Sequence, residues 1–563
     1  MTAERELTLR ATLTGVALGA LLAPCNVYSG LKIGWSFNMS IIALLVGFGM
    51  WRALERTGAI PAWTLKESNI SQTAASAAAS IVSGGLVAPI PAYALLTGRE
   101  LPVLPLIGWV FAVSFLGVWV AWYLRPALIV HSPLRFPAGI ATLETLTDIF
   151  GHGREAWRRI SVLFGAAAVA AAVKWLQAFG GLAAKWSPSL ALQQLTFAVE
   201  PSLLLVGFGA IIGLRVGVSL LAGALVAWGG LAPWLIERGL VADSVAADGS
   251  LFGPLVEWLL WPGVSLMVVA TLTTFAARAL RSLRGGAGRL PVAGLRAPGP
   301  AAGFAVAAAL AVALQMLLFD IGLLFALAAV PFAVVLASVA ARVVGETGIP
   351  PIGAIGKVSQ LGFGIAAPGQ AVTNLMTANV AGGAAGQCAD LLNDFKVGHA
   401  IGAAPARQAI AQCCGVLAGS VVGSLVYLAL VPSPATMLLT AEWPAPAVAT
   451  WKAVAEALTL GLDSIPPTAQ VAMLIGAAVG LALGALEAAG RARYGPSAVA
   501  LGLAFVIPAS ISMMMFLGAL AAWLVAARFP RTATRFTVAA AAGLVAGESI
   551  VGVAASFWGM ARG

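Results

Sequence analysis

A few acidic residues stand where an apolar chain least tolerates them. Glu144 and Asp148 are four residues apart, as are Asp390 and Asp394. On a helix each pair therefore shares one face. Two carboxylates that close in a low-dielectric setting do not both ionise readily, so one of each pair is expected to hold a proton at neutral pH. Glu548 stands alone in the apolar run Gly543-Leu-Val-Ala-Gly547-Glu548-Ser549, and an intramembrane acid is a functional candidate by default. The chemistry these residues suit is reversible proton binding. Glu144, Asp148, Asp390, Asp394 and Glu548 are accordingly the expected proton-coupling set.

A second pattern is polar but uncharged. Ser68, Gln72, Ser76 and Ser80 recur every four residues, with Asn69 and Thr73 beside them and mostly small residues elsewhere. Such a stripe either hydrogen-bonds neighbouring helices or lines a path for a polar ligand. Two Gly-containing breaks add further candidates. Asn26, Tyr28 and Lys32 fall in the first, Lys357 and Gln360 in the second. Lys357 could hold an anionic group. The string Gly353-xx-Gly356-Lys357 is not a phosphate loop, because Pro351 takes the first glycine position and Val358 the required Ser/Thr. The expected substrate-binding residues are Asn26, Tyr28, Lys32, Asn69, Gln72, Ser76, Lys357 and Gln360. No nucleophile–base set, HExxH helix, ATP site or metal-ligand spacing is visible. No catalytic residue, bound metal or cofactor is expected, and an enzyme is not.

The elements that position these residues must be membrane helices. The chain has 563 residues, of which 60% are hydrophobic and only 10% charged, against about 25% in soluble domains. That excludes a soluble globule. Glycine and proline are spread through apolar stretches, which excludes a disordered chain. The apolar run ending Leu22-Ala-Pro24-Cys25 resembles a lipoprotein signal, but Pro24 stands where a small residue is needed, so a first transmembrane helix is expected. The net charge of +10 fits basic cytoplasmic loops better than nucleic-acid binding. Arginines near 154–159, 278–296, 491–493 and 528–535 are read as cytoplasmic, and the acidic stretch 237–257 and the neutral stretch 432–466 as external. The N-terminus is then cytoplasmic, in what is expected to be a bacterial plasma membrane. The expected fold is an all-α polytopic membrane protein of about 15–16 spans. Segments 26–40, 131–150 and 343–400 look too polar for lipid-facing helices. Irregular or re-entrant backbone near the midplane is expected there, buried in protein or lining a cavity.

The halves echo each other. Arg52-Ala-Leu-Glu-Arg-Thr57-Gly58 is answered by Arg342-Val-Val-Gly-Glu-Thr347-Gly348, and Ser71-Gln72 by Ser359-Gln360. The pair Glu144/Asp148 is answered by Asp390/Asp394. Two repeats, 1–297 and 298–563, are expected, with the substrate site at their interface.

These same stretches resemble the oligopeptide transporter family, which includes the yellow stripe-like metal-chelate transporters. The resemblance lies in NVYSGLKIGWSFNMSI (26–41), ESNISQTAASAAASI (67–81), LRFPAGIATLETL (134–146), GKVSQLGFG (356–364), AGESIVGV (546–553) and, most specifically, residues 382–419. It implies proton-driven uptake of short peptides or of metal bound to a small amino-acid-derived chelator. A Cys/His-rich metal-collecting tail is absent. The expected function is a proton-coupled symporter for short oligopeptides working by alternating access, with a metal-chelate substrate as the alternative. A passive channel and an intramembrane enzyme are the other classes. The expected partners are a small-molecule substrate, protons and the lipid bilayer; a homo-oligomer is left open.

Overall fold

A computed structural model describes the chain except residues 1–4, 37, 59, 152, 184, 242–244, 247–248, 285–297, 349–350, 462, 464, 493–494 and 563. The expected repeat boundary at 297/298 falls at the edge of an undescribed stretch, and part of the 278–296 and 491–493 arginine clusters lies outside the described residues. The protein is 81% helical, with no strand among the described residues. Among the described residues, twelve helices are long and apolar enough to cross a membrane, which fits an all-α polytopic membrane protein.

The helices that position the candidate residues are α1 (Leu9–Ile33), α2 (Ser40–Glu55), α3 (Leu65–Ala79), α4 (Pro137–Gly151), α5 (Gly153–Ala178) and α6 (Leu203–Ile212). They continue with α7 (Leu323–Thr347), α8 (Ile352–Ala366), α9 (Ala371–Ala400), α10 (Pro405–Leu430), α11 (Ala509–Arg528) and α12 (Pro530–Arg562). The chain divides into two compact units, each made of three separate stretches. Unit 1 holds Met1–Val27, Ser36–Ile160 and Ala279–Leu428; unit 2 holds Tyr28–Trp35, Ser161–Arg278 and Ala429–Gly563.

The polar segments are more regular than expected. Residues 343–400 contain the end of α7 and all of α8 and α9, and of the other described residues in that range Gly348, Pro351 and 367–370 lie between these helices. Helix α9 runs unbroken for 30 residues. Most of 131–150 is taken up by α4, and α1 continues to Ile33. The reason is burial in protein. Small side chains let neighbouring helices cover α9, so its polar groups meet protein and its backbone stays helical, whereas α4 is helical with Glu144 and Asp148 exposed.

Helix α3 shows how unit 1 achieves this. Thr64 caps it, accepting from the Glu67 amide while the Glu67 side chain returns to the Thr64 amide. From Glu67 to Ala79 every residue is buried. Glycines on both flanking helices permit that: a Cβ at Gly415 of α10 would lie 2.1 Å from the Ala74 carbonyl oxygen, and one at Gly15 of α1 2.5 Å from that of Ser71.

The start of the chain is tied to the same end of α3. The Glu6 carboxylate, in a residue only 6% exposed, sits 3.0 Å from the Lys66 ammonium and 3.1 Å from the Arg407 guanidinium. It also accepts from the Ala404 amide at 3.1 Å. Burial works to raise its pKa. Lys66, the Ala404 amide and Arg407 outweigh that and hold the carboxyl below its ordinary value of 4.5. A depressed carboxyl stabilises the fold above its unfolded-state pKa, and the contribution disappears as pH falls through the folded-state value. Glu6→Gln is expected to cost about 1.5–3 kcal/mol near neutrality. Thermal melts in detergent should show the variant and the wild type converging as pH drops below the carboxylate range. Melting curves that stay equally far apart at acid pH would remove Glu6 as the source.

Candidate functional site

Helix α9 is rich in alanine, glycine and leucine and contains no proline, so nothing interrupts its hydrogen-bond ladder. It is covered by α7, α8 and the helix Val103–Arg125. Asp390 and Asp394, on successive turns, are 8% and 1% exposed. What faces them is the polar stripe of α3, reached across more than 300 residues of sequence.

Ser76 Oγ donates to Asp390 Oδ1 at 2.8 Å, and Ser80 Oγ to Asp390 Oδ2 at 3.2 Å. Gln72 Nε2 donates to Asp394 Oδ1 at 3.0 Å. From α10, Gln412 Nε2 reaches Gln387 Oε1 at 3.1 Å and Asp390 Oδ2 at 3.4 Å. Gln387 Nε2 in turn donates to the Ala77 carbonyl and to Ser80 Oγ, both at 3.2 Å. Gln408 Nε2 holds the Asp394 carbonyl at 2.8 Å. Every donor to the two carboxylates is a neutral hydroxyl or amide. Among the described residues no lysine, arginine or histidine pairs with either one. Asp394 Oδ2, Asn69 Nδ2, Gln72 Oε1 and Gln412 Oε1 are buried without a hydrogen-bond partner.

The matching pair on α4 is placed otherwise. Glu144 and Asp148 are exposed, and Asp148 meets the Arg159 guanidinium at 3.1 Å. What α4 offers α9 is backbone: the Gly139 amide donates to Asn393 Oδ1 at 3.2 Å. Asn26 donates to the Ala79 carbonyl at 2.9 Å, at the end of α3. Lys357 is buried in α8 and bonds the Gly353 carbonyl of its own helix at 3.2 Å. The Asn374 amide of α9 donates to the Gln360 carbonyl. Lys357 makes no hydrogen bond or ion pair with Asp390 or Asp394.

Three of the expected residues lie in unit 2. Tyr28 packs edge-on against Trp443, with centroids 5.4 Å apart. Lys32 is 3.7 Å from Glu200 and donates to the Glu442 carbonyl at 3.1 Å. Glu548 accepts from Ser202 Oγ and from the Leu204 amide, both at 2.7 Å. Its carboxylate thus lies at the N-terminus of α6, where the helix dipole favours negative charge. Glu548→Gln leaves a single acceptor oxygen for those two donors. A loss of about 1–3 kcal/mol is expected, read as a lower unfolding temperature, whereas an unchanged melt would show that the cap contributes nothing.

Gln412 and Gln408 escaped the sequence reading. They lie four residues apart on α10 and so share one helix face; that period was the signal that could have found them, and the fold aims the face at α9.

The chain matches the family described as OPT oligopeptide transporter protein over residues 6–286 and 299–559. It belongs to the oligopeptide transporter family. Similar proteins include YGL114W of Saccharomyces cerevisiae, provisionally named an oligopeptide transporter, which is 23% identical over 98% of this chain and 96% of its own. Another is YSL8 of Oryza sativa subsp. japonica, provisionally named a metal-nicotianamine transporter, 23% identical over 99% of this chain and 91% of its own. A protein of Haemophilus influenzae, also provisionally named an oligopeptide transporter, is 25% identical over 94% of this chain and 92% of its own. The chain is an integral membrane transporter of this family, and both α3 and α9 fall within the matched residues.

Proposed function

We propose that the protein is a proton-coupled symporter for short oligopeptides, working by alternating access, and that Asp390 and Asp394 carry the coupled proton. One observation carries this reading: two buried carboxylates on successive helix turns are held only by neutral donors, and one oxygen of Asp394 has no partner. A buried carboxylate is costly unless it is paired or neutralised. A proton on Asp394 Oδ2 supplies neutralisation without disturbing the Gln72 bond to Oδ1. Its loss or gain changes which helix contacts are favourable, which is what coupling needs.

Gln72 and Ser76 then have a double role, holding the carboxylates and facing the path of a polar substrate. Asn69, with its unpartnered Nδ2, is the nearest candidate for a peptide carbonyl. Asn26, Tyr28, Lys32, Lys357 and Gln360 remain substrate candidates, and Glu548, Glu144 and Asp148 secondary proton carriers. The halves 1–297 and 298–563 are proposed as related repeats. In support, α3 and α8 are both 15 residues long. Each follows a glycine with left-handed φ, 73° at Gly58 and 76° at Gly348. The work is transport across a plasma membrane, with the N-terminus cytoplasmic, and not catalysis.

A metal chelate is the second reading, favoured by the name of the rice relative. Proteoliposome uptake decides between them. An inward pH gradient should drive accumulation of a labelled tripeptide above the outside concentration. Accumulation of a metal–nicotianamine complex alone would select the second reading. Equilibration of either without accumulation would overturn symport and favour a channel.

A further inference from the structure

Unit 2 contains a second charged cluster that proton coupling does not use. Between α5 and α6 the chain doubles back, and Trp186 and Val199 exchange both backbone hydrogen bonds, at 3.0 and 2.8 Å. The next residue on each side of that bridge is charged: Lys185 and Glu200. The turn thus places an ammonium and a carboxylate side by side, 3.9 Å apart. Lys32 approaches Glu200 from elsewhere in the unit at 3.7 Å.

These pairs are loose. The protein's structural ion pairs close to 2.5 Å in Arg10–Glu67 and Lys452–Glu456 and to 3.0 Å in Lys66–Glu6. Glu200 is 8% exposed, yet no lysine donates a hydrogen bond to it, and its side-chain hydrogen bond to Ser510 Oγ is long, at 3.5 Å. A buried pair maintained for stability needs close, fully hydrogen-bonded geometry. Burial works to raise the pKa of Glu200, but Lys32, Lys185 and Lys174 outweigh it, so the carboxyl stays below its ordinary value and ionised.

A cavity of about 100 Å³ has Lys185, Ser187, Thr196, Ser250, Ala441 and Ser510 in its wall, and Glu200 lies just behind that wall, 3.9 Å from Lys185 and 3.5 Å from Ser510 Oγ. Ser250 comes from the stretch 237–257 and Ala441 from 432–466, the two segments that charge places outside. Thr196 adopts φ 63°, a strained setting for a β-branched residue. Its hydroxyl and carbonyl accept from the Ala509 and Ser510 amides at 2.9 and 3.1 Å. Strain of this kind persists where surrounding structure fixes it, commonly at binding sites.

We infer that this cavity binds an α-aminocarboxylate group, its ammonium on Glu200 and its carboxylate on Lys185. The spacing selects that class. Two charges 3.9 Å apart complement an ammonium and a carboxylate carried on one carbon. The ends of a tripeptide, separated by two peptide units, cannot reach both. Ser510 Oγ, whose bond to Glu200 is long at 3.5 Å, can turn its proton to the bound carboxylate, whereas the Ser187 hydroxyl is held by the Phe197 carbonyl. The loose Lys185–Glu200 contact exchanges for two closer ones, which makes entry inexpensive.

A free amino acid and the uncoordinated end of an amino-acid-derived chelator present the same group. The test uses the full chain in detergent, without a gradient, so binding is read apart from transport. L-Alanine and metal-free nicotianamine are titrated by calorimetry, beside L-alaninamide, N-acetyl-L-alanine and trialanine. At least one of the first two should bind, and each blocked alanine, like trialanine, should bind at least about tenfold more weakly than L-alanine if alanine is the ligand. The tighter of alanine and nicotianamine names the source. Lys185→Met should abolish the discrimination between acid and amide, and Glu200→Gln that between free and acetylated amine. Binding of neither probe, blocked alanines that bind as well as alanine, or trialanine that binds more tightly would each overturn the assignment. The comparison among ligands needs only the wild-type protein, so a poorly folding variant does not rescue the idea. Binding with no uptake would count against the symport reading alone.

Discussion

Asp394→Asn is expected to abolish proton-driven accumulation of substrate while leaving exchange across the membrane intact. Asparagine copies the shape of a protonated aspartate. Its oxygen still accepts the Gln72 amide, which reaches Asp394 Oδ1 at 3.0 Å. What it removes is the capacity to release the proton. The substituted residue is only 1% exposed and its carboxylate has no cation partner among the described residues, so loss of the charge should not destabilise the fold. Replacing an uncompensated buried charge by a neutral isostere is neutral or favourable, by up to about 3 kcal/mol. The prediction therefore pairs two readouts, uptake under a pH gradient and the unfolding temperature. Lost accumulation with a retained melt and retained counterflow identifies a coupling residue. Wild-type dependence on the gradient would take Asp394 out of the mechanism, and collapse of the melt would make its role structural. Asp390→Asn should act more mildly, because Ser76, Ser80 and Gln412 all donate to Asp390 and stabilise its charged form.

The contrast between the carboxylate pairs shows what spacing can and cannot determine. Both pairs are i and i+4, so each shares a helix face, and the helices exist as expected. Which face meets protein is a tertiary matter. α9 is enclosed because alanines and glycines surround its acids; α4 leaves Glu144 and Asp148 in the open, with Arg159 nearby. Local sequence already hints at the difference, since Arg158 and Arg159 follow Asp148 by ten and eleven residues. The polar stripe of α3 was legible for the same reason as the pairs: a period of four is a property of one helix. Its partner was not, because Gln72 and Asp394 are 322 residues apart and no local pattern joins them. The expected breaks in 343–400 are confined to the short joints between α7, α8 and α9 for a related reason. Polarity in an apolar chain signals burial in protein, and a helix covered by small-residue neighbours meets that need as well as a broken one does. Lys185 and Glu200 were missed because each looks like an ordinary loop charge until the turn between them is closed.

Arg10→Met should produce the largest loss of stability of any single change considered for unit 1. Arg10 grips Glu67 through two nitrogens, Nη2 to Oε2 at 2.5 Å and Nε to Oε1 at 2.7 Å. Its remaining donors reach the Pro61 and Ala62 carbonyls at 2.8 and 2.9 Å. Its guanidinium lies 5.1 and 5.3 Å from the rings of Trp51 and Trp63, which stack on one another. Glu67 is 0% exposed, so methionine would leave a sealed carboxylate supported only by Thr8 and the Thr64 cap. Removing one partner of such a pair costs about 3–5 kcal/mol. The consequence extends beyond stability, because Glu67 starts the helix whose next turns present Gln72, Ser76 and Ser80 to the carboxylates of α9. Loosening that start should disturb coupling as well as folding, unlike Asp394→Asn. The double variant Arg10→Met/Glu67→Gln separates the two causes. It removes the stranded charge and should recover much of the unfolding temperature, since a neutral pair of similar volume is often no worse than the ion pair it replaces. A double variant as unstable as Arg10→Met alone would place the effect in the Trp51–Trp63 contacts instead.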